Sequence, residues 1–234
     1  IIDNQTRITN SLIYKMLPHK HYISPCYNYF LSRPLFLMNK PKHIIYRTIK
    51  YLNKFLNVEK NINYNFKIPQ IFLDEANKIL KNDKEYIGFS ITAAHRHKIK
   101  EFNLEEIIKV AHHFSNKYVP IFYIDKTYED LKEFIKKKID CSLFPEELAK
   151  ESLKKPILVT ALGSLTKFNI SIDNGIAHML SYSNNKNYIF YPGNSEKFKS
   201  LDKNCLVYDC KEHNKNMKSL DHKNIINFIE KNLN

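Results

Sequence analysis

The chain has 234 residues, 43% of them hydrophobic, and a formal net charge of +13. That length allows one large domain, or one domain and part of another, and the absence of any apolar run of about 20 residues argues against a membrane-spanning helix. Cys26, Cys141, Cys205 and Cys210 show no CxxC spacing, which argues against a zinc site or a disulfide framework and suits a reducing cytoplasm.

The charge implies an anionic partner: ligand phosphates, nucleic acid or an anionic membrane surface. Its lysines are spread through Lys50 to Lys60, Lys132 to Lys138 and Lys197 to Lys218 with no basic tail, the pattern of solvated helix faces and loops.

In chain order, the opening Ile1-Ile2-Asp3 has the character of the end of a strand. The expectation is therefore a fragment lacking an upstream region, with a processed mature terminus as the competing explanation. Residues 1–63 differ from the rest of the chain: they contain no glycine, a Pro/Tyr-rich middle from Pro18 to Pro41, and a helical run from Ile44 to Phe55 with Ile44, Ile45, Ile49, Leu52 and Phe55 on one face. This block reads as the remnant of a first α/β domain.

From Gln70 to Asn82 the spacing of Ile71, Phe72, Ala76, Ile79 and Leu80 predicts a helix. Strands and helices then alternate. Strands are expected at Tyr86–Ile91, Val119–Ile124, Ile139–Phe144, Asn169–Ile172, Tyr188–Tyr191 and Cys205–Tyr208. Helices are expected at Leu104–Lys117, Tyr128–Lys138, Ile176–Tyr182 and, capped by Asp221, through Leu233. Residues Pro156 to Lys167 fit a strand or a helix, and the helix with Pro156 in its first turn is preferred. Such alternation implies crossovers and a parallel sheet, whose ligands bind beyond the carboxyl ends of the strands.

Gly88, Gly163, Gly175 and Gly193 all lie in this second region. Neither GxGxxG nor GxxxxGK[ST] occurs, so a dinucleotide fingerprint and a Walker A loop are unsupported. Three strand-end segments should gather at one rim. The first runs from Ser90 through Thr92, His95, Arg96 and Lys100 to Phe102; the second is Asp173-Asn174-Gly175 with His178; the third is Tyr191-Pro192-Gly193-Asn194-Ser195. A strand ending at an acidic residue and a Gly before a helix forms a turn whose free N–H groups suit phosphate. The plainer reading is a capped turn with Asp173 as N-cap. Arg96 and Lys100 could equally be solvated loop charges, Pro192-Gly193-Asn194 an ordinary turn, and His112-His113 structural, having no metal-ligand companion at i+4.

The order of these segments resembles the family 9 glycosyltransferases, which include the bacterial heptosyltransferases. Ser171-Ile172-Asp173-Asn174-Gly175-Ile176-Ala177-His178 resembles the family's D-[TS]-G-x-x-H signature, with Asn174 in the Thr/Ser place. Lys100-Glu101-Phe102 lies where the family has K-x-W-P, with Phe102 for Trp and Asn103 for Pro. Phe190 to Phe198 resembles F-G-P-T-x-P, with Tyr191 for Gly. The likeness spans Tyr86 to Leu233, and Ile1 to Gln5 resembles a late strand of the family's N-terminal domain.

The resemblance implies a GT-B arrangement of two Rossmann-like domains. Residues 64–234 would be the nucleotide-sugar-binding parallel-sheet domain and 1–63 what is left of the acceptor-side one. Carried over by position, Lys100 would contact donor phosphate, Asn174 and Gly175 would receive the diphosphate, Asp173 would lie near the transferred sugar, and His178 would support the loop. Thr92, His95, Arg96 and Asn194 would line the rim, with Phe144-Pro145-Glu146 flanking base and ribose.

The implied reaction is inverting sugar transfer from a nucleoside-diphosphate sugar to a lipopolysaccharide or surface-glycan acceptor, with no cofactor and no obligatory metal. The family's general base lies in its N-terminal domain, upstream of Ile1, so no catalytic residue is named. A cytoplasmic protein touching the anionic inner membrane peripherally is also implied. A non-catalytic nucleotide-binding module is the alternative. Nucleic-acid binding ranks last, because no RNA-binding or helix-turn-helix signature accompanies the charge.

Overall fold

The computed structural model describes residues 1–3, 7–35, 41–54, 56, 57, 59, 63–81, 83–93 and 100–233. They fall into two compact units, Ile1–Ile62 with Glu196–Lys199, and Asn63–Ser195 with Ser200–Asn234.

The smaller unit holds helices α1 (Ile8–Met16) and α2 (Ile44–Leu52). Its centre is polar: the buried Asp3 carboxylate accepts hydrogen bonds from Ser11, Ser24 and Tyr22 at 2.7, 3.1 and 3.2 Å. Small apolar clusters flank it, Tyr22 with Cys26 and Leu31, and Ile23 with Tyr29 and Tyr51. The apolar face read for the second helix is not the buried one. Tyr51 is fully buried there while Ile45 is exposed, and Phe55 lies outside the described residues.

The larger unit begins with α3 (Gln70–Ile79) and continues through β1 (Tyr86–Ser90), α4 (Leu104–Ser115), β2 (Val119–Phe122), α5 (Glu129–Lys138), α6 (Pro145–Leu148) and α7 (Pro156–Ser164). It ends with β3 (Thr166–Ile172), α8 (Gly175–Leu180), β4 (Lys186–Tyr191), β5 (Cys205–Asp209) and α10 (His222–Lys231), while α9 (Ser195–Phe198), between β4 and β5 in sequence, belongs from Glu196 on to the smaller unit. All five strands are parallel, in the order β2-β1-β3-β4-β5. Each side of this Rossmann-like sheet carries helices. α4, α5 and α10 cover one face over Phe89, Phe122, Phe168, Ile170 and Phe190; α3, α7 and α8 cover the other.

Residues 156–164 are helical, with Pro156 at the first helical position, where its missing N–H costs nothing. The strand expected at Ile139–Phe144 is reduced to one bridge, Leu143 against Ile121, with two backbone hydrogen bonds. Pro145 opens α6 directly afterwards, and proline at that point ends extended pairing.

The face under α7 and α8 is unusual for a parallel sheet because its central strands present Gly88, Ser90, Asn169 and Ser171, all buried. A Cβ on Gly88 would lie 2.0 Å from Asn169 Oδ1, so the Asn169 side chain, which accepts from the Tyr123 hydroxyl at 3.2 Å, is what requires glycine there.

Opposite, Glu106 ties α4 to α10: its carboxylate accepts from the His222 backbone N–H at 2.7 Å, lies 2.7 Å from the His222 ring, and pairs with Lys109 at 2.6 Å. The Lys109 and His222 hydrogen bonds hold its pKa down to about 2, from 4.5. A carboxyl whose pKa is depressed on folding stabilises above its unfolded value and loses that contribution as it protonates. Stability measured by urea unfolding should therefore fall as pH drops from about 4.5 to about 2. Glu106→Gln should cost about 1 kcal/mol at neutral pH and flatten that acid slope. An unchanged slope contradicts the assignment.

Candidate functional site

The sheet order fixes where a ligand can enter. From β1 the chain crosses to β2 on one side and then returns to β3 on the other, so the loops leaving β1 and β3 diverge and open a crevice at their carboxyl ends. Asn174 spans that crevice. Its Nδ2 donates to Ser90 Oγ at 2.8 Å and to the Thr92 carbonyl at 3.0 Å, while its Oδ1 accepts from the Ala177 N–H at 2.8 Å. Asn174, not Asp173, is thus the N-cap of α8, and its amide supplies both the acceptor a cap needs and the donors that grip the neighbouring strand.

Asp173 has a different partner. Its Oδ2 lies 2.5 Å from Lys100 Nζ, which also donates to the Asp173 carbonyl at 3.2 Å, and the two side chains are only 15% and 26% exposed. On either side of residues 94–99, the Ala93 N–H donates to Glu101 and the Ala93 carbonyl accepts from the Tyr128 hydroxyl. Phe102 is buried edge-on against Phe190, and Asn103 caps α4 by accepting from the Glu105 N–H.

Beside Asn174 opens a cavity of about 780 Å³, within the size range of small-ligand sites. Thr92, Asn174 and Gly175 form its inner end; Leu158, Val159, Leu162, Ile176 and Met179 make an apolar wall. A Cβ built on Gly175 meets no atom within 4 Å, so the protein's own packing does not require glycine there.

The facing wall is charged. Lys132, 1% exposed, lies 3.3 Å from Glu129 and 3.2 Å from Glu147, and Lys136 reaches Glu147 at 3.0 Å. Burial opposes charge on Lys132, but the Glu147 and Glu129 hydrogen bonds outweigh it and push its pKa up. Glu146 on the same wall moves the other way: burial, then repulsion from Asp125, raise its carboxyl above the usual range against the pull of Lys132 and Lys154.

Of the residues singled out in the sequence, Thr92, Glu146, Asn174 and Gly175 line the cavity, while Lys100 and Asp173 pair next to Asn174 and are not among its lining residues. Phe144 does not face it. That ring is in the core, stacked on Phe122 at 5.8 Å, while Glu146 and Glu147 reach the wall instead. His178 is exposed on α8 and Asn194 is exposed with φ 59°; neither is a lining residue. His95 and Arg96 lie outside the described residues. Apart from Glu146, the charged wall was missed, since Lys132 and Glu147 in sequence look like an ordinary solvated face. His113 pairs with Glu230 at 2.8 Å.

No protein-family model matches the sequence, and no curated protein matches it significantly. Solved structures do match. Escherichia coli ADP-heptose lipopolysaccharide heptosyltransferase II superposes with a TM-score of 0.75 at 12% identity over 99% of this chain and 75% of that one. A family 9 glycosyl transferase from Veillonella parvula gives 0.73 at 17%, over 99% and 72%. Escherichia coli heptosyltransferase WaaC with ADP-2-deoxy-2-fluoro heptose gives 0.69 at 18%, over 99% and 71%.

The chain has a heptosyltransferase-like fold. At these identities the likeness is one of architecture, and the chemistry must be argued from the residues. In this heptosyltransferase-like frame, Asn174 should matter twice. Asn174→Ala removes the α8 cap and the bonds to β1, so unfolding free energy should drop by about 1 to 2 kcal/mol. Asn174→Ser should restore the cap but not the reach to Ser90 and Thr92, and recover only part of the loss. Full recovery by serine in urea titrations would show the strand-to-strand bonds to be unimportant.

Proposed function

We propose that this chain carries the donor side of a glycosyltransferase, binding a nucleoside-diphosphate sugar in the unit formed by Asn63–Ser195 and Ser200–Asn234. The observation that carries the reading is the Lys100–Asp173 pair at the capped start of α8, next to Asn174, which itself lines a half-apolar cavity. A base and ribose suit the cavity, with its apolar wall for stacking and Glu146 within reach of ribose hydroxyls. The diphosphate would pass Gly175, where the first N–H groups of a helix lack internal acceptors, and meet Lys100. Asp173 would face the sugar hydroxyls. A structural neighbour solved with ADP-2-deoxy-2-fluoro heptose supports the same class of donor.

The chemistry is a displacement with inversion. An acceptor hydroxyl attacks the anomeric carbon, the bond to the diphosphate oxygen breaks, and the hydroxyl proton goes to a base that we place outside this sequence. Lys100 would stabilise the charge that builds on the leaving diphosphate. The acceptor we propose is a lipopolysaccharide or surface glycan, reached by a cytoplasmic protein at the face of an anionic membrane. No helix among the described residues is long and apolar enough to cross a membrane.

Calorimetric titration with ADP-, GDP-, UDP- and dTDP-sugars should find one that binds best, and Lys100→Ala should weaken it by about 1 to 3 kcal/mol. Unchanged affinity removes Lys100 from the site. Failure of every donor, alongside tight salt-sensitive binding of RNA or DNA, would favour the nucleic-acid reading. With donor bound, the chain alone should transfer little or no sugar; full turnover would contradict the placement of the base.

A further inference from the structure

We propose that Asp173 is a specificity-determining residue that pairs with Lys100 and competes with phosphate for it, so that a sugar-bearing donor displaces it more readily than a free nucleoside diphosphate does. The proposal rests on the donor reading above and adds to it a means of separating substrate from product.

Lys100 Nζ spends two of its three donors on one residue, the Oδ2 and the carbonyl oxygen of Asp173. Both side chains are largely shielded, so salt screens the pair less than it would a surface pair. A phosphate oxygen seeking those two donors finds their directions already held by Asp173 oxygens. An incoming diphosphate must turn that carboxylate aside, because two anions side by side repel.

What happens to Asp173 next decides the affinity. An ionised carboxylate only accepts hydrogen bonds. Its surroundings include the buried Tyr191, whose hydroxyl is pushed to a higher pKa by burial first and then by the charge of Asp173, so the displaced carboxylate stays in a poorly solvated neighbourhood. A nucleotide sugar brings hydroxyl donors to satisfy it. A nucleoside diphosphate, whose ribose hydroxyls lie on the far side of its phosphates, offers none beyond the terminal phosphate and leaves an unpaired carboxylate beside its own negative charge, which is costly. Once the sugar has been transferred, Asp173 loses its hydroxyl partners, recaptures Lys100, and expels the product.

The test is a double-mutant cycle of Asp173→Asn and Lys100→Met, titrating the wild type and the three variants with ADP, GDP, UDP, dTDP and inorganic pyrophosphate, after thermal melts confirm folding. Asp173→Asn should tighten the best nucleoside diphosphate about three- to thirtyfold when Lys100 is present and by less than about twofold when it is Met. It should also narrow the preference for the sugar-bearing form. Equal tightening in both backgrounds would mean simple repulsion between Asp173 and phosphate, and no tightening would mean no competition; either overturns the proposal.

If the Met background binds too weakly to titrate, the Lys100 side-chain NMR signal, assigned with Lys100→Arg, decides. It should move the same way on adding nucleoside diphosphate to the wild type as on replacing Asp173 by Asn, and a signal unmoved by nucleoside diphosphate overturns the inference. If neither diphosphates nor nucleotide sugars bind any variant, the donor reading itself falls.

Discussion

The arrangement of the site depends on the reversal of strand order around β1. Because β2 and β3 lie on opposite sides of β1, the chain leaves β1 and β3 in different directions, and the opening at their carboxyl ends is a product of connectivity before it is a product of side chains. Asn174 then limits how far it opens. One amide satisfies the start of α8 and two acceptors on the β1 side, so the position of the helix and the width of the crevice are set by the same side chain.

Charge in this protein is organised locally more than its composition suggests. The net charge of +13 points to an anionic partner without naming one, yet several lysines at or beside the cavity are already paired. Lys100, beside the cavity, is held by Asp173, and of the lining lysines Lys132 is held by Glu129 and Glu147 and Lys154 by Glu151. Lys132 is buried, and a buried ammonium left without its carboxylates would be severely destabilising; the pairing therefore fixes the relation of α5 to α6 and with it the charged wall. The opposite wall, from α7 and α8, is apolar. A ligand with a flat uncharged part and a charged tail matches that polarity.

Much of the sheet could be read from sequence because its strands are buried on both faces. Tyr86–Ser90 and Lys186–Tyr191 are short apolar runs separated by helices whose apolar residues recur at helical spacing. The Pro156 segment could be decided on the same grounds. Reading failed where a tertiary partner sets the outcome. Residues 139–144 looked like a strand, but only Leu143 finds a neighbour on β2, and Phe144 turned into the core to meet Phe122. At the site, Asp173-Asn174-Gly175 was legible as a strand-to-helix turn. Which of its two polar residues capped the helix was not, since the choice depends on Lys100 seventy-three positions away. Most of the charged wall was equally hidden: nothing in the spacing of Lys132, Glu129 and Glu147 distinguishes a buried lysine held by two carboxylates from a solvated helix face.

The most direct test of the account is a crystal structure of the protein soaked with the tightest-binding nucleotide sugar. The account predicts the base between the α7–α8 wall and the Glu146 side of the cavity, the diphosphate against Gly175 and Lys100, and the Lys100–Asp173 pair broken with Asp173 turned to the sugar. A donor bound elsewhere, or bound with that ion pair intact and no phosphate on Lys100, would contradict it.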